Sequence, residues 1–138
     1  MKLVVKPERC TGCTGCALAC SLAKIGMFSY DAARIRVERN EEHADFRPRV
    51  CIQCDEPSCI AACPSGALSK DLRLGIIVVE IESCTFCRKC EDACPYGGIS
   101  FNDEDRGPLI CDLCGGEPAC VDACRFPQAI SIVEGVQP

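Results

Sequence analysis

The fold is decided by one stretch, Cys84-Thr85-Phe86-Cys87-Arg88-Lys89-Cys90-Glu91-Asp92-Ala93-Cys94-Pro95. Its C-x2-C-x2-C-x3-C-P spacing is typical of thiolates that bind a [4Fe–4S] cluster, with the fourth cysteine bound to a neighbouring cluster. Three cysteines at steps of three let one loop turn around a single cube, whereas the fourth, on a short helix, faces away from it. Pro95 disfavours the helical conformation for Cys94, so the chain should leave the helix there.

Motifs of this kind occur four times, and we number them in chain order. They are Cys10-x2-Cys13-x2-Cys16-x3-Cys20, Cys51-x2-Cys54-x4-Cys59-x3-Cys63-Pro64, the opening stretch, and Cys111-x2-Cys114-x5-Cys120-x3-Cys124. Motifs one and three are tight, whereas motifs two and four carry extra residues before the third cysteine and share Glu-Pro-(Ser/Ala)-Cys. Duplication of an ancestral two-motif unit would produce this alternation. The motifs use all sixteen cysteines, so no thiol remains for nucleophilic catalysis.

Sixteen cysteines in 138 residues is a density that usually indicates a disulfide scaffold, but those scaffolds are short secreted chains. Residues 1–7 lack the apolar run of a signal peptide, and no later stretch is typical of a membrane span. We therefore expect a cytoplasmic protein, without direct membrane insertion, whose cysteines bind metal. Structural zinc usually joins two C-x2-C pairs across a long loop, which differs from these crowded motifs. The predicted cofactors are four [4Fe–4S] clusters.

The charge of the protein restricts its partners. The formal net charge is −5, and sixteen thiolates around four clusters make the loaded protein more negative still. Nucleic acid and anionic membranes attract positive patches, so neither is an expected partner, whereas a protein with a basic docking face is. Locally, Arg88 and Lys89 flank motif three, while Asp55 and Glu56 lie in motif two. We expect the motif-three cluster to have the higher reduction potential for that reason.

The predicted fold class is α+β, a small ferredoxin-like polyferredoxin in which short helices and short antiparallel strands surround four cubanes as two pseudo-symmetric dicluster units. Residues 3–5, 76–81 and 130–133 are predicted strands, and residues 17–24 a helix that carries Cys20. Residues 34–38 alternate at period two and could pair with residues 46–50. The apolar side chains that follow the helix are expected to cover a cluster; they are Ile25, Met27, Phe28 and Tyr30.

The spacing leaves the pairing of the motifs open. The fourth cysteine of each motif is expected to complete the cluster of a partner motif. Twenty residues separate Cys63 from Cys84, a comfortable loop for a unit made of motifs two and three. Motifs one and four would then meet around the outside. The sequential alternative pairs motif one with two and motif three with four, and linker lengths do not exclude it.

The order of the motifs and the residues within them resemble the four-cluster subunits of the dimethylsulfoxide-reductase iron–sulfur family. The resemblance is carried by Cys51-Ile52-Gln53-Cys54-Asp55-Glu56-Pro57 and by Cys111-Asp112-Leu113-Cys114-Gly115-Gly116, and it covers nearly the whole sequence. The second segment, extended to Cys120, looks most like the small electron-transfer subunits of tungsten aldehyde oxidoreductases. The same family includes subunits of carbon monoxide dehydrogenase and of hydrogenase or formate systems.

The resemblance implies one four-cluster domain, residues 1–138, with nested pairing. Motifs one and four (1–30 plus 105–138) would form one dicluster half, and motifs two and three (48–104) the other. The implied ligand sets are Cys10, Cys13, Cys16 and Cys124 for cluster 1; Cys20, Cys111, Cys114 and Cys120 for cluster 2; Cys51, Cys54, Cys59 and Cys94 for cluster 3; and Cys63, Cys84, Cys87 and Cys90 for cluster 4. This sequence departs from the family at two places. Ser21 follows Cys20 where the family has proline, and Arg125-Phe126 separates Cys124 from Pro127.

The function implied is that of a non-catalytic electron-transfer subunit. It would relay single electrons between a larger catalytic subunit, a tungsten or molybdenum pterin enzyme, and a ferredoxin or flavoprotein. The alternatives are a free soluble polyferredoxin, a subunit of one of the other enzyme systems of the family, and a structural subunit that stacks into a conducting filament. An enzyme in its own right is disfavoured, because no acid, base or nucleophile constellation remains once the cysteines are assigned.

Overall fold

Short helices and strands connect the cysteine loops in the computed structural model, which describes residues 2–101, 107–124 and 128–133. The strands are β1 (Lys2–Val5), β2 (Arg36–Asn40), β3 (Asp45–Arg49), β4 (Leu68–Asp71), β5 (Ile76–Val79) and β6 (Ile130–Val133). The helices are α1 (Gly15–Ile25), α2 (Ser58–Ala62), α3 (Lys89–Ala93) and α4 (Ala119–Ala123). Single turns of 3-10 helix cover Pro7–Arg9, Tyr30–Ala32, Glu41–His43, Ile81–Ser83 and Leu113–Gly116.

The strand before motif one pairs with the strand after motif four. β1 and β6 form an antiparallel pair in which Leu3 lies opposite Ile132 and Val5 opposite Ile130. The pairing continues beyond the strands, because the Lys6 amide donates to the Ala129 carbonyl over 2.7 Å. Leu3 and Ile130 turn inward and are buried, so this sheet both joins the outer motifs and closes one side of the core.

Two hairpins complete the strand pairing. β2 and β3 pair antiparallel across the turn at Glu41–His43, and Val37 lies opposite Pro48. β4 and β5 pair antiparallel with Leu68 opposite Val79, which joins the segment after motif two to the segment that leads into motif three. The alternation in β2 and the β-branched run in β5 are the patterns that favour such strands.

Each helix carries the third cysteine of its motif, and the fourth lies four residues later, within the helix or at its end. A separation of four residues places two side chains about one helical turn apart on the same side. α1 is the longest helix and ends at Gly26, whose left-handed conformation (φ 71°) lets its amide donate to the Leu22 carbonyl. α1 packs against α4, and α2 packs against α3.

The core is built from small apolar and β-branched side chains together with cysteines. Its most enclosed large side chains include Ile35 and Ile130, at 1% and 2% exposure. Seven cysteines are buried in it, namely Cys16, Cys20, Cys51, Cys59, Cys90, Cys111 and Cys120. Because so much of the interior is ligand side chain, cluster assembly and folding should be one process. The predicted α+β fold class, with short helices and antiparallel strands, is confirmed.

Glycines follow the fourth cysteines of motifs two and three. Gly66 (φ 68°) and Gly97 (φ 63°) adopt the left-handed conformation that favours glycine. Gly98 is needed for a different reason. A Cβ on Gly98 would lie 2.7 Å from the Cys51 Cα and 2.8 Å from the Cys51 nitrogen, so the backbones of motifs two and three touch here.

Gly98→Ala should therefore destabilise the protein by about 1–3 kcal/mol, because rigid backbone rather than a flexible side chain must move. Thermal unfolding followed by circular dichroism, together with the iron content of the purified protein, measures this. Gly15→Ala is the matched control, since its added Cβ meets only the Cys13 sulfur, at 3.8 Å, within a helix. The control should be neutral or slightly stabilising, and equal stabilities for the two variants would contradict the packing argument.

Candidate metal centres

A left-handed residue shapes every cysteine loop. The residue before the second cysteine has positive φ in all four motifs: Gly12 (75°), Gln53 (56°), Phe86 (58°) and Leu113 (58°). In motifs two and four this turn aims an amide back at the first cysteine. Gln53 N donates to Cys51 Sγ over 3.4 Å, and Leu113 N donates to Cys111 Sγ over 3.3 Å. The loops therefore curl around a common centre, with backbone donors directed at the sulfurs.

The fourth cysteine of each motif also accepts a backbone hydrogen bond. The donors are Arg34 N to Cys20 Sγ (3.2 Å), Ala67 N to Cys63 Sγ (3.3 Å), Gly98 N to Cys94 Sγ (3.4 Å) and Ala129 N to Cys124 Sγ (3.3 Å). Hydrogen bonds to ligand sulfurs stabilise their negative charge and are one of the levers that set iron–sulfur potentials. At Cys63 the hydroxyl of Ser65 adds to this effect and lowers the pKa of the thiol to about 7.

Three cavities are each lined by four cysteines. The cysteines lining them are Cys63, Cys84, Cys87 and Cys90; Cys20, Cys111, Cys114 and Cys120; and Cys10, Cys13, Cys16 and Cys124. Each cavity thus combines three cysteines of one motif with the fourth cysteine of another. Equal donor sets suit the same kind of group in all three places.

The remaining four cysteines also lie near one another. Burial raises the pKa of the Cys59 thiol, and the nearby Cys54 and Cys94 raise it further. Burial likewise raises the pKa of Cys51 to about 12, with Cys59 and Cys54 among its charged neighbours. The fourth cysteine of motif three is therefore close to the motif-two cysteines, which repeats the exchange seen in the three cavities.

Burial keeps the deepest thiols neutral in the absence of positive charge. It raises the pKa of Cys16 to about 12, and that of Cys90 and Cys111 to about 11. Several buried thiolates at one site would repel one another, so the donor set requires a strongly cationic group to become fully ionised. Iron supplies that charge and binds thiolates outright.

The spacing of the sulfurs fits a cluster rather than a single ion. In residues 2–101, 107–124 and 128–133 no three His, Cys, Asp or Glu side chains converge closely enough to hold one metal ion. A zinc ion would need four sulfurs at about 2.3 Å, whereas these cysteines stand around cavities. All sixteen cysteines are unpaired thiols. The residues fit [4Fe–4S] clusters, which would supply one-electron redox chemistry when bound.

The four cysteine groups adjoin one another in a series. Burial is the largest effect on the inner thiols, but thiolates of a neighbouring group also raise their pKa. The Cys16 thiolate raises the pKa of Cys120, that of Cys111 raises the pKa of Cys51, and that of Cys59 raises the pKa of Cys90. Among the sixteen cysteines only Cys13 and Cys87 are exposed, and these belong to the first and last groups of the series.

Lysines offset the acidic side chains beside motifs two and four. Asp55 pairs with Lys2 Nζ at 2.8 Å, which lowers the pKa of its carboxyl group. Lys70 Nζ donates to the Cys54 carbonyl over 2.7 Å. At Asp112, burial opposes ionisation, but hydrogen bonds from Lys24 Nζ and Cys114 N hold its pKa below the usual value. Lys2 lies 53 residues from Asp55, so the local charges of motif two give no sign of this ion pair.

The sequence profile of a 4Fe-4S dicluster domain matches residues 42–132, more than half of the protein. The chain belongs to the 4Fe-4S dicluster family. A second profile, also described as a 4Fe-4S dicluster domain, matches residues 9–67. Two dicluster domains hold four clusters, so the four predicted [4Fe–4S] cofactors are confirmed.

Relatives within the dicluster family include subunits of larger enzymes. The polyferredoxin-like subunit of aliphatic sulfonate oxidoreductase from Pyrococcus furiosus is 39% identical over 136 residues, which is 96% of this chain and 78% of that protein. The B subunit of anaerobic dimethyl sulfoxide reductase from Escherichia coli K12 is 32% identical over 138 residues, covering 87% of this chain and 67% of that protein. The predicted resemblance to dimethylsulfoxide-reductase iron–sulfur subunits is therefore confirmed.

A solved structure shares the fold. The active-site complex BamBC of benzoyl coenzyme A reductase, determined with zinc, contains a polypeptide that superposes with a TM-score of 0.57 at 28% sequence identity. The superposition covers 100% of this chain and 82% of that polypeptide.

Some expected positions differ, and others lie outside the described residues. Met27, Phe28 and Tyr30 do not cover a cluster: they are 63%, 68% and 55% exposed. The reason is that α1 ends at Gly26, so the segment that follows leaves the helix face packed on α4. Ser21 is fully buried, and its hydroxyl accepts from the Ser29 amide. The departure at Arg125-Phe126-Pro127 lies outside the described residues.

Arg88→Glu should lower the potential of the motif-three cluster and leave the other midpoints in place. Arg88 lines the cavity of Cys84, Cys87 and Cys90, where it lies over the Phe101 ring at 5.0 Å. Adding Lys89→Glu should enlarge the shift. Solvent screens these exposed charges, so we expect a small effect.

Potentiometric EPR measures the four midpoints. Arg47→Glu, on the β2–β3 hairpin, makes the same change in net charge away from this cavity and serves as the matched control. Midpoints that respond equally to Arg88→Glu and Arg47→Glu would contradict a local effect.

Proposed function

We propose that this protein is the electron-transfer subunit of a larger oxidoreductase complex. The observation that carries the proposal is the serial arrangement of the four cysteine groups, in which inner thiols of successive groups lie near each other and one exposed cysteine lies at each end. Four one-electron centres in such a series form a conduit. The protein supplies the path, and a partner supplies the substrate chemistry.

The proposed ligand sets are those expected from the family. Cluster 1 takes Cys10, Cys13, Cys16 and Cys124; cluster 2 takes Cys20, Cys111, Cys114 and Cys120; cluster 3 takes Cys51, Cys54, Cys59 and Cys94; cluster 4 takes Cys63, Cys84, Cys87 and Cys90. The three cavities support clusters 1, 2 and 4, and the proximity of Cys94 to Cys59 supports cluster 3. The serial order would then be 1, 2, 3, 4.

The same reasoning favours two nested halves within one domain. We assign motifs one and four, residues 1–30 plus 105–138, to one half, and motifs two and three, residues 48–104, to the other. The pairing of β1 with β6 and the packing of α1 on α4 support the first half. The pairing of β4 with β5 and the packing of α2 on α3 support the second. Pro7–Arg9 also contacts β3, and a bridge joins Ser100 to Leu109, so sequential motifs touch as well, but the helices that carry the cysteines pack in the nested pairs.

The ends of the series define where electrons would enter and leave. Cys13 is exposed beside cluster 1, and Cys87 is exposed beside cluster 4. The cysteines that connect successive groups of the series are buried; they are Cys16, Cys120, Cys111, Cys51, Cys59 and Cys90. Electron exchange with partners should therefore be favoured at the two ends, because the most exposed ligand cysteines lie there.

The proposed partners are a catalytic tungsten or molybdenum pterin subunit at one end and a ferredoxin or flavoprotein at the other. The relatives support the coarser part of this proposal, since they are named as subunits of a sulfonate oxidoreductase and of a dimethyl sulfoxide reductase. No helix among the described residues is long and apolar enough to cross a membrane. We propose a cytoplasmic location.

Paired ligand variants test the proposed ligand sets. Cys94→Ala and Cys51→Ala should each remove cluster 3, so the double variant should lose no more iron than either single variant. Cys94→Ala combined with Cys87→Ala should lose two clusters, because Cys87 belongs to cluster 4. Iron and sulfide content with quantitative EPR gives the counts. The opposite pattern, with non-additive loss for Cys94 and Cys87, would mean that Cys94 serves its own motif.

Native purification tests the subunit role. The protein, produced anaerobically in its own host at natural expression levels, should co-elute in gel filtration with a much larger protein that contains a pterin-bound tungsten or molybdenum. A nickel enzyme in that fraction would move the assignment to another branch of the family. Elution as a small brown protein alone would favour a free polyferredoxin, and filaments in electron micrographs would favour a structural role.

A further inference from the structure

One buried polar side chain connects three of the four motifs. Gln53 is 1% exposed, although it lies in the variable position before the second cysteine of motif two. Its amide nitrogen Nε2 donates to the Cys111 carbonyl over 2.5 Å, and its Oε1 accepts from the Ile77 amide over 3.0 Å. The side chain thus joins motif two to a ligand residue of motif four and to the strand β5 that leads into motif three.

Gln53 lies at the junction between the two proposed inner clusters. Cys51, two residues before it, is a proposed ligand of cluster 3, and Cys111 is a proposed ligand of cluster 2. Val50 lines the cavity of Cys20, Cys111, Cys114 and Cys120, so the motif-two loop forms part of the wall of the cluster 2 site. This is the one place in the serial order where the two halves must approach each other.

The loop conformation does not itself require a glutamine. Motif four carries Leu113 at the equivalent position, with the same left-handed φ (58° against 56°) and the same amide-to-sulfur hydrogen bond. Leu113 is also buried, at 2% exposure. The amide of Gln53 is therefore needed for its contacts to Cys111 and Ile77 rather than for the local turn. A buried amide with both ends bonded holds such contacts firmly, because leaving either partner unpaired in the interior is unfavourable.

We propose that Gln53 is a positioning residue that fixes the separation of the two inner clusters and tunes their potentials. Its neutral side chain ties the Cys51 loop to the Cys111 loop without adding charge between two anionic centres. Its donor end lies at a ligand residue of cluster 2, where it should stabilise the reduced, more negative form. The step that depends on this positioning is the transfer of a single electron between the two clusters, in which no bond forms or breaks and no proton moves. This inference rests on the proposed electron relay.

Gln53→Leu is the decisive variant, because Leu113 already occupies the same conformation in motif four. The variant should keep the turn, the hydrogen bond from the residue-53 backbone amide to Cys51 Sγ, and its full iron content. It should lose the two long-range hydrogen bonds. The expected result is a lower midpoint for cluster 2 and an altered magnetic interaction between two of the four clusters, with the other two midpoints unmoved. Potentiometric EPR on the reduced holoprotein measures both quantities.

Two further variants separate positioning from stability. Leu3→Met changes buried packing in β1, away from the residues that line the cysteine cavities, so it can lower thermal stability but should leave the magnetic interaction as in the wild type. Gln53→Met keeps the length of the side chain and removes only its hydrogen bonds, so it should reproduce the spectroscopic change of Gln53→Leu. The same spectroscopic change in Leu3→Met would mean that packing alone causes it, which would overturn the proposal.

The remaining outcomes are equally informative. Unchanged midpoints and an unchanged magnetic interaction in both Gln53 variants would overturn the proposal, even if their unfolding temperature falls. Loss of every cluster from both variants would also overturn it, because Gln53 would then be required for folding as a whole. A wild-type protein that lacks four reducible clusters would instead contradict the electron relay itself, which keeps the two failures distinct.

Discussion

Each described cluster cavity takes three cysteines from one motif and its fourth from a motif elsewhere in the sequence, and the rest of the structure follows from this exchange. Cys20 must reach the motif-four loop, and Cys124 must reach the motif-one loop. Helices α1 and α4 therefore have to pack together, and β1 has to meet β6. The same exchange between motifs two and three brings α2 onto α3 and closes the β4–β5 hairpin. Regular structure is short because it only has to span the distance between ligand loops.

The protein balances the charge of its metal sites mainly through its backbone. Amides donate to the fourth cysteine of every motif, and further amides donate to the first cysteines of motifs two and four. Side-chain cations act further out, as Lys70 and Lys24 do beside motifs two and four. Backbone donors need no particular side chain, which explains why the intervening residues differ so much between motifs. Gln53 differs from these donors because its buried side chain joins two motif loops, which no backbone donor does.

Much of the site was predictable because cysteine spacing acts locally. The cluster type and the short helices at the ends of motifs one and three follow from residues within single loops, and the number of clusters follows from counting the motifs. The strands at residues 3–5, 76–81 and 130–133 were also predicted, and the structure differs from these predictions mainly at the strand ends. The exposed positions of Met27, Phe28 and Tyr30 were predicted wrongly, since an apolar run does not show on which side of the helix end the core lies. The contacts of Gln53 and the Lys2–Asp55 ion pair join residues far apart in the sequence and follow no periodic pattern, so the sequence did not predict them.

The sequence by itself determined the cofactor and its number, since sixteen cysteines in four spaced motifs leave no other use for their thiols. It left two pairings of the motifs open, because linkers of these lengths can satisfy both. Tertiary structure alone decided which cysteines share a cavity, which groups adjoin, and that Cys13 and Cys87 are the exposed ones. The physical reason is that spacing restricts only how one loop can close around its centre. The approach of two loops far apart in the sequence depends on how strands and helices pack between them.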